Sequence, residues 1–166
     1  FKDLYGDYFH DVEIVYDAVD TSKFKKSTEE KKHDVVYCGY LHPLKGLNNL
    51  LRFASQNPDR NIDIFGWGEI SPDRVFKDYP NIKFNGPRDY ADIPAILQSA
   101  KAIFHHPIVR EPFCRMVGEA ILCGVEDIIG DKSKIGAYLE FEKVGYDAFK
   151  NSCENAPSLF WEKILK

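Results

Sequence analysis

Ala102-Ile-Phe-His-His-Pro-Ile-Val-Arg-Glu-Pro-Phe-Cys-Arg-Met-Val-Gly-Glu-Ala-Ile-Leu-Cys-Gly124 decides how the chain is read. Ala102 to His105 reads as a buried strand, and Pro107 ends it. Two glutamates, Glu111 and Glu119, then stand eight positions apart. Between them lie a Pro-Phe-Cys turn and the start of an apolar helix pattern. The order is strand, loop with an acid, helix start, second acid. In open α/β sheets such a junction is where ligands bind. The helix start offers unpaired N–H groups and the positive end of its dipole to an anion. Glu111 is expected at the loop mouth, and Glu119 a little over one turn into the helix. Two glutamates at this spacing also occur by chance on solvated helices, so the rest of the chain has to decide between the readings.

The chain has 166 residues, enough for one domain with its own core. Hydrophobic residues make up 44%, so that core needs no covalent staples. A net charge of −4 argues against a nucleic-acid footprint across the surface. The cysteines Cys38, Cys114, Cys123 and Cys153 are widely spaced, with no Cys-x-x-Cys pair. A zinc or redox reading from spacing is therefore weak, and free thiols in a reducing cytoplasm are expected. No signal peptide and no membrane-length apolar run is present. The sequence starts at Phe1 rather than Met, so a piece of a longer protein is expected.

Outward from the central stretch, strand and helix patterns alternate. Residues 1–20 read as the remnant of an interdomain connection and a first strand, Val12–Tyr16. Ser22 to His33, rich in lysine and glutamate, reads as a solvated connection. Val35–Tyr40 is a strand, followed by a helix with Leu44, Leu47, Leu51 and Ala54 on one face. Asn61–Phe65 is the next strand. Ser71-Pro72 opens a helix, with proline at the tolerated first position. Ile82–Phe84 is a short strand. A helix starts at Asp89 or Tyr90, or nearer Asp92 because of Pro94. Val125–Ile129 is a last strand. Weak helical patterns cover Ser133–Phe141 and Tyr146–Ser152, and a closing helix Glu154–Leu165 places Ala156, Leu159, Phe160 and Ile164 on one face. This alternation predicts an α/β fold: a single doubly wound, Rossmann-like domain with a parallel sheet flanked by helices. Right-handed crossovers put every strand-to-helix loop on one edge.

That edge gathers Gly39–Gly46, Gly66–Glu69, Gly86–Arg88 and His106–Arg115. Gly39 allows close backbone approach. Lys45 is a point cation for a phosphate, or a plain surface lysine. Gly66-Trp-Gly68 is too short for a dinucleotide fingerprint, but two glycines let a flat ring lie on backbone, and Pro87 and Arg88 could line the same pocket. A tight turn explains each of these equally well. His105 and His106 are adjacent on a strand, point to opposite faces and do not chelate together easily. Cys114 sits at a helix start, where a thiol pKa tends to fall. A phosphate flanked by carboxylates that grip hydroxyls points to a sugar nucleotide.

Six motifs in order carry a family resemblance. They are Tyr16-Asp-Ala-Val-Asp20; Val36-Tyr-Cys-Gly-Tyr-Leu41 with Lys45-Gly46; Phe65-Gly-Trp-Gly68; Phe84-Asn-Gly86; Glu111-Pro-Phe-Cys with Glu119-Ala; and Ser158-Leu-Phe-Trp-Glu162. Together they resemble the C-terminal, donor-binding half of retaining GT-B glycosyltransferases, the group typified by sucrose and glycogen synthases and bacterial mannosyltransferases. The resemblance implies a nucleotide-sugar donor domain over residues 21–166. It implies catalytic or sugar-binding roles for Glu111 and Lys45, with Lys45 on the distal phosphate. It implies a phosphate cradle over Phe113, Cys114, Arg115, Met116 and Val117, and ribose hydroxyls on Glu119. Gly39 and Tyr40 would border the phosphates, and Gly66, Gly68, Pro87 and Arg88 the base. No cofactor or metal is expected, since no Asp-x-Asp motif is present. The expected partners are the sugar nucleotide, a missing N-terminal acceptor domain and, by family habit, a membrane-associated acceptor. The expected location is cytoplasmic, peripheral to a membrane at most through the missing domain. Two departures stand out: Tyr40 replaces the family's arginine and Cys114 its glycine. They motivate an alternative, an inactive nucleotide-sugar-binding or scaffold module. Arg110 or Arg115 would be the substitute cations.

Overall fold

The computed structural model of the chain describes Val15 and residues 17–165. The expected strand at Val12–Tyr16 lies outside the described residues, apart from Val15. The strands are β1 (His33–Tyr40), β2 (Ile62–Trp67), β3 (Ile82–Phe84), β4 (Ala100–Phe104) and β5 (Asp127–Ile129). The α-helices are α1 (Leu47–Gln56), α2 (Pro72–Val75), α3 (Ile93–Gln98), α4 (Arg115–Leu122), α5 (Gly136–Val144) and α6 (Tyr146–Ile164). The five strands form one sheet in the order β3-β2-β1-β4-β5, and each pairing is parallel. This is the Rossmann-like layout of one GT-B half.

Strand β1 lies in the middle and is covered on both faces, as its apolar run requires. Side chains alternate across it. Val35 and Tyr37 join Leu47, Leu50, Ile64 and Phe104 in the core under α1 and α2. Val36 and Cys38 join Leu97, Val117, Leu122 and Phe149 in the core under α3 to α6. Leu50 and Leu97 are fully buried, and each such side chain contributes on the order of 1.5–3 kcal/mol. The strand order reverses between β1 and β4, so the loops that follow them flank a switch point.

Several expected elements differ in detail. Leu44 sits in a 3-10 turn (Pro43–Lys45) and is exposed, because α1 starts only after Gly46. The inward face of α1 is Leu47, Leu50 and Ala54, so Leu50 takes the place expected of Leu51. The segment expected to be a solvated connection is anchored. Phe24 is fully buried, and the Lys31 ammonium donates to the carbonyls of Gln98 and Gly124. A single apolar residue in a charged run carries too little periodicity to reveal this. The two C-terminal helices merge into α6, with Pro157 inside it. Proline removes one helical N–H and crowds the carbonyl one turn back, yet the helix runs through it to Ile164. Of the apolar face expected on the closing helix, only Ala156 is buried. Leu159, Phe160 and Ile164 are exposed.

Candidate active site

The two loops at the switch point bring together residues far apart in sequence. Lys45 follows β1 and ends a 3-10 turn. His105 is the residue directly after β4 and is buried beside the core. Glu111 lies further along the same loop. Its backbone forms a parallel bridge to Ile135. Its N–H donates to the Lys134 carbonyl at 2.9 Å, and its carbonyl accepts from Gly136 N–H at 3.1 Å. That docking demands glycine at 136, since a Cβ there would stand 1.7 Å from the Pro112 oxygen. The loop is thus fixed by the start of α5.

Glu111 is held on both oxygens. The Lys45 ammonium donates to Oε1 at 2.6 Å, and His105 Nε2 lies 3.1 Å from Oε2. Cys114 Sγ lies 3.2 Å from the same imidazole nitrogen. The His105 hydrogen bond, with lesser help from Lys45 and Cys114, holds the Glu111 carboxyl well below the usual carboxylate range against its burial. The neighbouring thiol moves the other way. Burial and then the Glu111 charge push Cys114 up, so the expected activation of this thiol by the helix start does not occur. Cys114 is the N-cap of α4 and has φ +70°, the one positive φ among described non-glycine residues. Its side chain makes no capping bond; the Val117 N–H turns back to the Cys114 carbonyl at 3.1 Å, which leaves the N–H groups of Arg115 and Met116 at the start of α4 to other partners.

A cleft of about 520 Å³ opens over this group, lined by Asp17, Tyr37, Cys38, Gly39, Tyr40, Lys45, His105, Glu111, Pro112, Phe113, Cys114, Arg115 and Met116. Of the residues singled out from sequence, Gly39, Tyr40, Lys45, Glu111, Phe113, Cys114, Arg115 and Met116 meet there. Val117 is fully buried under it. Tyr40 stacks on His42 with ring centroids 5.7 Å apart.

Glu119 forms a second group behind the first turn of α4. It is buried, and its Oε1 accepts from the Tyr90 hydroxyl at 2.6 Å and from Arg115 Nε at 3.0 Å. The Arg115 guanidinium also lies 4.9 Å from the centre of the Tyr90 ring. Arg115 is therefore engaged by Glu119 rather than standing as a spare cation in the cleft. Arg88 donates to the carbonyls of Asn85 and Pro87 and lies over the Phe65 ring. Gly66 and Gly68 back onto the carbonyls of Gly39 and Leu41, where a Cβ would stand at 2.3 and 2.6 Å. These three residues, with Pro87, are on the same sheet edge but do not line the Lys45–Glu111 cleft. The sequence singled out neither His105 as a site residue nor Tyr90. The signal for His105 was its place one residue past the end of a strand on the binding edge. Tyr90 gave none, because only tertiary folding brings it to α4.

The donor atoms of His105, Glu111 and Cys114 all lie within 4.8 Å of one another, which is also an arrangement able to hold a metal ion. No described helix is long and apolar enough to cross a membrane.

A family model, glycosyl transferases group 1, matches residues 19–155. The chain belongs to this family. No curated protein sequence matches it. Among solved structures, this group 1 glycosyl transferase chain is similar to Anabaena Alr3699/HepE in complex with UDP and glucose. There the identity is 24%, the TM-score 0.58, and the match covers 78% of this chain and 40% of that one. It is similar to AviGT4, a glycosyltransferase involved in avilamycin A biosynthesis, at 16% identity and TM-score 0.65, over 87% of this chain and 54% of that one. It also matches the C-terminal domain of a glycosyl transferase group 1 family protein (LpcC) from Francisella tularensis. That likeness has 15% identity and TM-score 0.56, over 89% of this chain and 98% of that domain. At these identities the likeness is one of fold. The group 1 chain spans about half the length of the first two relatives, 40% and 54%.

Proposed function

We propose that the chain is the donor-binding half of a retaining glycosyltransferase that takes a sugar from a nucleotide donor. The observation that carries this is the meeting of the Lys45 ammonium and the Glu111 carboxylate at the switch point, above the uncapped start of α4. Lys45 is half exposed and free to exchange Glu111 for a donor phosphate. Glu111, held by His105, then turns an oxygen to the sugar hydroxyls. The first-turn N–H groups of α4 take the other phosphate. Glu119 takes the ribose hydroxyls in exchange for Tyr90 or Arg115. Gly66, Gly68, Pro87 and Arg88 border the base. As the bond from the anomeric carbon to the diphosphate breaks, Lys45 and the helix start stabilise the charge that grows on the leaving group. No metal is required for that step. The acceptor, and any attachment to a membrane, would come from a further domain, so this half alone would turn over poorly. Solved structures of one protein of the same fold, Anabaena Alr3699/HepE, are complexes with UDP-glucose and with UDP and glucose, which supports a sugar nucleotide as the donor class.

Cys114 favours a second reading. Its thiol stands where the resemblance implies bare backbone, and this narrows the anion cradle as a non-catalytic binding module would tolerate.

Calorimetric titration with UDP, GDP and ADP and their sugar conjugates tests the proposal. One nucleotide class should bind, and Lys45→Ala and Glu119→Ala should each weaken it about tenfold or more, the worth of one charge-assisted hydrogen bond. Folded wild-type chain that binds none of them would sink the proposal. Binding by a longer protein without any transfer would favour the second reading.

A further inference from the structure

His105, Glu111 and Cys114 aim three chemically different donor atoms at one point. Nε2 is 3.1 Å from the carboxylate oxygen and 3.2 Å from the sulfur. Ligands of a tetrahedral zinc ion, bound at ~2.0–2.3 Å, stand about 3.2–3.7 Å from one another. The sulfur and the carboxylate oxygen lie within 4.8 Å of each other, so two edges of the triangle are already close to those of such a site and adjusting the third completes three of its legs. The residues come from the end of β4, the following loop and the cap of α4, so no regular helical spacing accounts for their meeting. The imidazole and carboxylate sit at the floor of the cleft, with side chains 8% and 11% exposed. The thiol stands on a left-handed backbone that any side chain disfavours, yet Cys114 adopts it at φ +70°. A strained residue among site groups is itself a pointer to function.

We propose that His105, Glu111 and Cys114 form a site for a zinc-like divalent cation, whose fourth coordination position opens to the cleft. One nitrogen, one sulfur and one oxygen suit a borderline metal. Magnesium and calcium, which want oxygen alone, are excluded by the same donor set. On binding, the thiol proton leaves to solvent and the sulfur binds as thiolate. The ion takes the Glu111 oxygen now beside His105, leaves Oε1 with Lys45, and presents its fourth position to the cleft where the donor sugar would lie, so filling the site weakens donor binding. That consequence, unlike the metal site itself, rests on the role proposed for Glu111 above.

Cobalt(II) alone, titrated into the chain, provides the test. The expected result is a thiolate-to-cobalt charge-transfer band at one equivalent, displaced by zinc. Cys114→Gly should abolish the band. This variant suits the positive φ, so its loss of metal cannot be put down to unfolding. His105→Gln should weaken cobalt at least about tenfold, and Cys153→Ser should leave the band intact. Absence of the band in folded wild-type chain, or its survival in Cys114→Gly, overturns the proposal. In a second arm, zinc should weaken sugar-nucleotide binding at least about tenfold in wild type and leave it unchanged in Cys114→Gly. A cobalt band with no effect of zinc on the donor would overturn the competition. Failure of metal-free chain to bind any sugar nucleotide would count against the donor role alone.

Discussion

Glu111 and Glu119 flank the same helix start, are both buried, and are satisfied in opposite ways. Glu111 draws its partners from two strand ends: Lys45, 66 residues away, and His105. Glu119 draws one partner from its own helix, Arg115, and one from the turn after β3, Tyr90. A helix-neighbour ion pair on a half-exposed arginine contributes little, about 0.3–0.5 kcal/mol. A buried carboxylate bridged by a buried imidazole is far more demanding, since removing one partner strands the other charge. The first glutamate thus depends wholly on partners brought by the sheet topology, and the second on one tertiary partner and one neighbour on its own helix. Both groups expose a carboxylate oxygen's partner, rather than the carboxylate, to incoming ligand.

The largest expected effect is at the first glutamate. His105→Ala should cost about 3 kcal/mol of stability in urea unfolding, because Glu111 and Cys114 lose their shared partner. A loss below 1 kcal/mol would erase the contrast between the two sites. Tyr90→Phe comes next, at about 1.5 kcal/mol, the lower range for a hydrogen bond to a charged group. Arg115→Ala should cost no more than about 0.5 kcal/mol; a loss larger than that of Tyr90→Phe would show that the helix neighbour, not Tyr90, is the main partner of Glu119. Acid sharpens the comparison further. The Glu111 carboxyl is held low in the folded chain, so its pairing stabilises fully above the unfolded carboxylate pKa of about 4.3 and is lost as pH falls through the folded value. Glu111→Gln should therefore show a shallower loss of stability than wild type as pH falls below about 4. A separate effect concerns the cap between the two acids. Cys114→Gly should be more stable than Cys114→Ala by about 1 kcal/mol, because only glycine adopts the positive φ without strain. Equal stability of the two variants would mean that the cap carries no strain.

Legibility from sequence followed the physics of each element. The doubly wound sheet was readable because strands such as Val35–Tyr40 and Ala102–His105 are largely apolar runs punctuated by glycine and proline. Their boundaries shifted by up to two residues, since hydrogen-bond registry with neighbours sets where a strand ends. Phe24 was missed because its burial depends on α3 and α4 closing over it, not on its charged neighbours. The exposure of Phe160 and Ile164 was missed for the converse reason. A helix can carry an apolar face that no described element covers.

The sequence by itself determined the alternation of strands and helices, the edge on which the loops gather, and the placement of two glutamates around a helix start. These follow from hydrophobic periodicity and turn chemistry, which act over a few residues. Only the tertiary structure decided that Lys45 meets Glu111, that His105 turns inward to hold both Glu111 and Cys114, and that Tyr90 reaches Glu119. Those contacts join loops that carry no period of their own. Their geometry is set by strand order, by the docking of Glu111 on Ile135, and by one left-handed backbone angle at Cys114.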